Sequence, residues 1–207
     1  MGNNEGVTDA SLSQDALGRA LREVAEFVDD GGWEQPPMLF ALVSTAVLAQ
    51  TDPGLVDEYD DSELSPIAQE QLELSDDPQT QAQELEHLLA TTSWPSAVAG
   101  CALVQEIIVL PPQASDDLDE AFEPLLADPE AADAAARETA HRHPERQRAR
   151  LLVGALRDGP RLALLHLRDD DSDADALGGR LDLRSHPDLA PGLLEALAAT
   201  LDAGEDF

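Results

Sequence analysis

Residues 151–167 read LLVGALRDGPRLALLHL, and this stretch decides the fold. Two runs, 151–156 and 162–167, are apolar at nearly every position and are joined through Asp158 and Gly159. Apolar runs of this length are typical of strands, and an Asp-Gly pair supplies the positive φ angles of a tight hairpin turn. Strands that are apolar on both sides need cover on both faces of their sheet. The stretch therefore predicts a β-hairpin with helices above and below it.

Two more apolar runs and one short segment extend this sheet. Residues 38–43 follow Pro36 and Pro37, which disfavour a helix in the residues before them. Residues 98–110 are apolar on both sides, so this strand also needs cover on both faces. Residues 180–184 add a short strand at the edge. The sheet is therefore expected to contain the hairpin, two further buried strands and an edge strand.

Four segments carry the signals of helices. In the first, leucine and valine recur at steps of three and four, and Ser11 and Gln14 have the spacing of a capping box. In the last, leucines recur every four residues. The four segments are 12–28, 79–91, 129–141 and 188–202. We predict an α+β fold, an α/β/α sandwich around a mostly antiparallel sheet, with the N- and C-terminal helices packed on the sheet.

The charge of the chain is uneven. Its 207 residues include 43 acids and 12 arginines but no lysine, and the net charge is -31. Residues 1–130 hold 28 acids and two arginines, a balance of -26. Residues 52–86 and 113–130 have few large apolar side chains, so we expect them to be mobile acidic insertions in a single domain spanning 1–207. A saline habitat and simple solubility both account for such acidity.

This charge excludes some classes of partner. Coulomb repulsion opposes binding to a nucleic-acid backbone or to an anionic membrane. No segment has 18 uninterrupted apolar residues, and the N-terminus lacks the features of a signal peptide. The lone Cys101 excludes an intrachain disulfide framework and a zinc ribbon. We therefore expect a cytoplasmic protein that binds neither nucleic acid nor membrane.

The chain has one basic cluster, which lies just before the hairpin. Its arginines are Arg142, Arg146, Arg148 and Arg150. Arginine forks bind carboxylates and other anions, so these four residues are candidates for docking an anion or an acidic partner. The alternative is that they neutralise the acidic residues of the same chain.

Two tryptophans and two histidines are the residues of a possible cleft. Trp33 and Trp94 each stand just before a proline-containing entrance to a strand, which is typical of packing anchors that close the ends of a sheet. The alternative is that they line a ligand cleft with His141 and His143, as in a small-molecule or metal-dependent enzyme. His166 lies within an apolar run and is interpreted as a hydrogen-bonded core or edge histidine.

Motifs for metals and cofactors fail when they are checked position by position. The alternating aspartates of 169–175 resemble a calcium loop, but the required glycine and glutamate positions hold Ala174 and Arg180. We expect an exposed acidic loop there. The chain has no nucleophile elbow, Walker loop or dinucleotide fingerprint, so we assign no catalytic residue, no metal ligand and no cofactor.

Several segments resemble those of an uncharacterised actinobacterial family of small cytoplasmic proteins. They are 33–37, 39–43, 94–95, 99–103, 143–147, 156–159 and 188–193. The resemblance spans nearly the whole chain and implies neither an activity nor site residues. The sequence predicts a sheet core covered on both faces, shows no catalytic constellation and has long acidic loops suited to contact with a partner. For these reasons we predict a non-enzymatic cytoplasmic protein, adaptor-like and active in protein–protein interaction. The small-molecule or metal-dependent enzyme is kept as the alternative.

Overall fold

The structure, a computed structural model, describes residues 12–56, 61–75, 77–110, 142–157, 159–168 and 181–202. The helices of this part of the chain are α1 (Gln14–Asp30), α2 (Thr45–Thr51), α3 (Pro78–Thr91) and α4 (Pro191–Asp202). Its strands are β1 (Met38–Ser44), β2 (Leu64–Ala68), β3 (Val98–Val109), β4 (Gln147–Leu156), β5 (Arg161–Leu167) and β6 (Leu183–Arg184). A single turn of 3-10 helix, Pro53–Leu55, follows α2.

The six strands form one antiparallel sheet in the order β2-β1-β3-β4-β5-β6. The pairing between β3 and β4 runs from Gly100 opposite Leu156 to Val109 opposite Gln147. The β4–β5 hairpin that the sequence predicts is present, and β6 pairs with the outer side of β5. The predicted α+β fold is confirmed, whereas β2 is absent from the sequence prediction.

α1 covers one face of the sheet, which we call the α1 face. Its fully buried Leu17 and Leu21 pack over Gly154 of β4. A Cβ atom at residue 154 would lie only 2.9 Å from Leu21 and 3.0 Å from Leu17. Because glycine has no Cβ, the helix lies directly on the strand.

The ends of α1 are set by local hydrogen bonds. Ser13 Oγ accepts a hydrogen bond from the Ala16 N–H at 3.1 Å, so the N-cap is Ser13 rather than the predicted Ser11, which lies outside the described residues. The helix ends at Asp30, Gly31 is its C-cap, and Gly32 follows with φ 76°.

α3 and α4 cover the opposite face, which we call the α4 face. Leu197 and Leu201 of α4 and Leu89 of α3 form a second apolar core with Leu103 and Val153 of the sheet. Each fully buried leucine stabilises the fold by about 1.5–3 kcal/mol. The sandwich is therefore held together by one apolar core on each face of the sheet.

The β4–β5 turn differs from the predicted one. The Leu156 N–H donates to the Pro160 carbonyl at 3.1 Å, so three residues, 157–159, lie between the last paired positions. Gly32, not Gly159, is the glycine with positive φ in the described residues. The Asp-Gly pair marks the position of the turn, but Gly159 does not have the positive φ that the pair predicts.

β2 lies inside the acidic stretch 52–86. Leu64 is 1% exposed and joins the core of the α1 face, and β2 pairs with β1 along its length. Pro66 interrupts the apolar pattern of this short strand, which explains why the stretch looks like a loop in the sequence. The predicted insertion 113–130, the predicted helix 129–141 and the acidic run 169–175 lie outside the described residues.

The outer side of β2 is a free edge of the sheet in the described part of the chain. The Gln69 N–H donates to the Leu39 carbonyl at 2.9 Å, and the Thr45 N–H donates to the Glu63 carbonyl at 3.2 Å. Hydrogen-bonded positions alternate along an antiparallel pair, so the backbone of Pro66 faces away from β1. Proline has no N–H, and the middle of this edge therefore lacks a donor.

Candidate functional site

Two rows of side chains cross the α1 face of the sheet beyond the C-terminal end of α1. Residues opposite each other on antiparallel strands project from the same face. The first row consists of Glu106 of β3, Arg150 of β4 and His166 of β5, which are in register. The loop 31–36, which follows α1, lies against this row. The fold thus gathers titratable side chains that are far apart in the sequence.

The second row consists of Ile108, Arg148 and Arg168. Ile108 is opposite Arg148, and Arg168, one residue beyond β5, donates its N–H to the Arg148 carbonyl at 2.8 Å. The two arginines therefore lie opposite each other on the α1 face. Like charges in this position repel, so the pair is unfavourable in the absence of a neighbouring anion.

Arg150 is buried beneath this surface, with 1% of its side chain exposed. Its Nη1 donates to Asp29 Oδ1 at 2.6 Å, and its Nη2 donates to the Gly32 carbonyl. These acceptors lie in the last turn of α1 and just after it, where the helix carbonyls lack partners within the helix. A cation here also opposes the negative end of the helix dipole. Arg150 therefore attaches the end of α1 to β4.

Trp33 covers Arg150. Its ring centroid is 4.2 Å from Cζ of Arg150 and 5.4 Å from Cζ of Arg168, both within cation–π distance. The ring centroids of Trp33 and His166 are 5.7 Å apart. We use the name Trp33 site for the set Trp33, Arg148, Arg150, His166 and Arg168.

The loop that carries Trp33 is held by a carboxylate of the sheet. Glu106 Oε1 accepts hydrogen bonds from the N–H groups of Glu34, at 2.6 Å, and Gln35, at 3.2 Å. Glu34 has φ 73°, a left-handed conformation that is uncommon for residues with a Cβ atom. Successive backbone N–H groups in such turns form concavities that bind anions. The loop therefore binds a carboxylate and holds Trp33 over the arginines.

Arg148 makes an exposed ion pair at the rim of the site. Its Nη1 donates to Glu34 Oε1 at 2.9 Å, and the two side chains are 47% and 72% exposed. Exposed pairs of this kind contribute about 0–1 kcal/mol. Glu34 can therefore give way to another carboxylate at small cost.

The structure divides the predicted arginine cluster into two parts. Arg148 and Arg150 belong to the Trp33 site. Arg142 and Arg146 are exposed residues that precede β4, and Arg146 Nη1 donates to the His143 carbonyl at 3.4 Å. Arg148 and Arg150 each form an ion pair with an acidic residue of the same chain, Glu34 and Asp29 respectively.

Trp94 lies on the opposite face and at the other end of the strands. It is 6% exposed, belongs to the core of the α4 face, and donates its Nε1–H to Thr200 Oγ1 at 2.9 Å. Trp33 and Trp94 therefore do not line a common cleft, and Trp94 packs in the core because its indole N–H has a buried acceptor. Of the two histidines assigned to that cleft, His143 precedes β4, and His141 lies outside the described residues.

Cys101 is a core residue of the α4 face. Its Sγ lies 3.6 Å from both the Leu197 carbonyl and Thr200 Oγ1. Burial raises the pKa of this thiol to about 11, against an ordinary value of 9.0. The thiol is protonated at neutral pH and is unsuited to act as a nucleophile.

Sequence reasoning omits three residues around the site: Glu34, Glu106 and Arg168. The sequence does contain a signal for Arg168. Basic residues recur at alternate positions at the ends of the hairpin strands that lie away from the turn. They are Arg148 and Arg150 before the first apolar run, and His166 and Arg168 at the end of the second. Glu34 and Glu106 have no such signal, since their roles depend on the conformation of one loop.

Comparison with known proteins gives one result. A family model described as PPA1309-like protein matches residues 17–202, which include all the strands of the sheet and the Trp33 site. Comparisons with curated proteins and with solved structures give no match. In the described residues, no helix combines the length and the apolar character needed to cross a membrane.

Proposed function

The chain belongs to the PPA1309-like protein family, and on that premise we propose that it is a non-enzymatic, adaptor-like protein of the cytoplasm that binds an acidic segment of a protein partner at the Trp33 site. The proposal includes an actinobacterial setting. The resemblance of its segments to small actinobacterial proteins supports this setting, and so does a basic composition of arginine without lysine, which is typical of GC-rich genomes.

The observation that carries the proposal is the pair of opposed arginines, Arg148 and Arg168, on a chain with net charge -31. A protein with so few basic residues places two of them, Arg150 and Arg168, and a histidine around one indole ring, and a third, Arg148, opposite Arg168. Arginine forks recognise carboxylates through charge-assisted hydrogen bonds. The site is therefore suited to an acidic ligand.

The net negative charge of the chain favours a short acidic ligand over an extended polyanion. At physiological salt the Debye length is about 8 Å, so acidic residues on distant surfaces are screened from a ligand at the Trp33 site. An extended polyanion such as nucleic acid would continue over the acidic surface and be repelled there. A short acidic protein segment can contact the Trp33 site without extending over that acidic surface. The opposite positions of Trp33 and Trp94 argue against the enzyme alternative, which needs both in one cleft.

Affinity capture of the full chain from its native cells, followed by mass spectrometry, tests the proposal. We compare Arg148→Glu with Arg161→Glu, which makes the same charge change at an exposed position on the α4 face of β5. A partner that is lost with Arg148→Glu and retained with Arg161→Glu supports the proposal. If the captured proteins are the same for wild type and Arg148→Glu, the proposed interaction site is wrong.

A further inference from the structure

Resting on the proposed function, we propose that the Trp33 site recognises a single carboxylate, carried by an aspartate or glutamate side chain of the partner, and that this carboxylate bridges Arg148 and Arg168. The bound group is thus a carboxylate and not a phosphorylated side chain.

The first support is the position of the two arginines. The hydrogen bond from the Arg168 N–H to the Arg148 carbonyl places them directly opposite each other, where side chains on neighbouring strands are in reach of one another. Within the described residues, Arg168 has Trp33 as a neighbour and no carboxylate within ion-pair distance. A carboxylate has two oxygens and accepts from two guanidinium groups at once. It would therefore relieve the repulsion between the two arginines.

The second support is the local charge balance. Asp29 is paired with Arg150, and the Glu106 carboxylate is held by backbone N–H groups. Among the described residues of the site, Arg148, Arg150 and Arg168 face three carboxylates, those of Asp29, Glu34 and Glu106, so these groups carry no net charge. Arg148 and Arg150 each have an ion-pair partner, whereas Arg168 has none among the described carboxylates. A single carboxylate would supply the one negative charge that Arg168 lacks, whereas a dianionic phosphate would supply two and be repelled more strongly by the neighbouring carboxylates.

The third support is that this part of the molecule already binds a carboxylate. The loop beside the arginines holds Glu106 Oε1 with two N–H groups, and Glu34 on the same loop reaches Arg148. Glu34 is exposed and its pair is weak, so an incoming carboxylate can share or replace it on Arg148. The group of this chain that already binds Arg148, the Glu34 carboxylate, thus has the same chemistry as the proposed ligand.

Trp33 gives the experiment its signal. The chain has two tryptophans, and Trp94 is buried on the other face. A ligand that moves Arg168 changes the surroundings of the Trp33 ring and leaves those of Trp94 unchanged. Fluorescence of the full chain therefore reports binding at the site, and Trp33→Phe is the control that removes the signal.

The experiment titrates the full chain with an acetylated and amidated hexaglutamate peptide, with the matching hexaglutamine peptide and with inorganic phosphate, at equal ionic strength. We expect saturable binding of hexaglutamate alone. Arg148→Gln and Arg168→Gln should each weaken it about tenfold or more, as expected for loss of a charge-assisted hydrogen bond, while Arg161→Gln should leave it unchanged. The titrations of the wild-type chain do not depend on the folding of any variant. Melting temperatures verify that each variant is folded.

Each other outcome overturns the inference. Phosphate that binds as well as hexaglutamate, or displaces it, would show that the site is not selective for carboxylates. An equal loss with Arg161→Gln would show that the binding is not local. If hexaglutamate does not bind but the cellular partner is still captured and still needs Arg148, the carboxylate inference is wrong and the proposed function stands. If neither binds, both are wrong.

Discussion

The Arg150 side chain links the end of α1 and the loop 31–36 to the sheet. Its guanidinium is buried with Asp29 and the Gly32 carbonyl as partners and Trp33 as cover. We predict that Arg150→Met lowers the free energy of unfolding by about 3 kcal/mol, the lower end of the range for a broken buried ion pair, because Asp29 is partly exposed and can regain water. Urea unfolding measures this change.

The matched control for this substitution is Arg148→Met, at the exposed ion pair of the same strand. We expect it to change the free energy of unfolding by less than about 1 kcal/mol. Similar losses for the two variants would contradict a structural role that is specific to Arg150.

Cys101 gives a prediction about pH. Its pKa is raised to about 11 by burial, so the folded protein keeps a proton that the unfolded chain loses near its ordinary value of 9.0. The contribution of this thiol to stability is therefore fully present below about pH 9 and decreases as the pH rises from about 9 towards 11. The difference in unfolding free energy between wild type and Cys101→Ala, measured across this pH range, isolates the effect. A constant difference would mean that the thiol is not buried as described.

At the scale of elements, α4 tests the packing of the α4 face. Leu197 is fully buried, whereas Leu193 is only partly buried against the same core. We predict that Leu197→Ala lowers the free energy of unfolding by about 2–5 kcal/mol and that Leu193→Ala has less than half that effect. Denaturant midpoints at unchanged slope measure both. Equal losses would mean that α4 is rotated from the orientation seen here.

The β4–β5 hairpin shows how far the sequence predicts the fold and where it stops. The apolar runs identify both strands, because burial on two faces needs such runs. The turn sets the register, and a two-residue Asp-Gly turn would place Arg148 opposite Asp169 instead of Arg168. A shift of one residue moves every side chain of a strand to the other face. The opposed arginines of the Trp33 site therefore could not be predicted from the turn signal.

A bulge on β3 causes a second difference between the predicted and the observed orientation of side chains. Strand alternation predicts that Val98 and Ala102 share a face. In the structure the pairing shifts between Leu42 and Val43, and Val98 joins the core of the α4 face while Ala102 lies on the α1 face. An extra residue in a strand is visible only when its partner strand is known. Helices such as α4 are predicted more completely, because their periodicity is local.

At the scale of the whole molecule, the net charge of the chain affects stability more than any single exposed ion pair does. We predict that Arg146→Glu combined with Arg148→Glu lowers the melting temperature at low salt, since each reversal adds to the repulsion of a chain with net charge -31. The Debye length shrinks from about 10 Å at 0.1 M salt to about 3 Å at 1 M, so the difference from wild type should vanish at about 1 M. A loss of stability that persists at high salt would indicate broken packing instead.

Pro66 has a consequence for how molecules of this protein meet one another. An open strand edge with regular donors is a template on which a further chain can add by backbone hydrogen bonds, and each addition exposes a new edge. The missing N–H at the middle of β2 interrupts that template, so growth of the sheet from chain to chain ends at the first molecule. We predict that Pro66→Val, which restores the backbone N–H donor, causes dimers and larger species to form. Analytical ultracentrifugation should show that their fraction rises with protein concentration. Unchanged sedimentation would mean that repulsion between acidic surfaces alone keeps the copies apart.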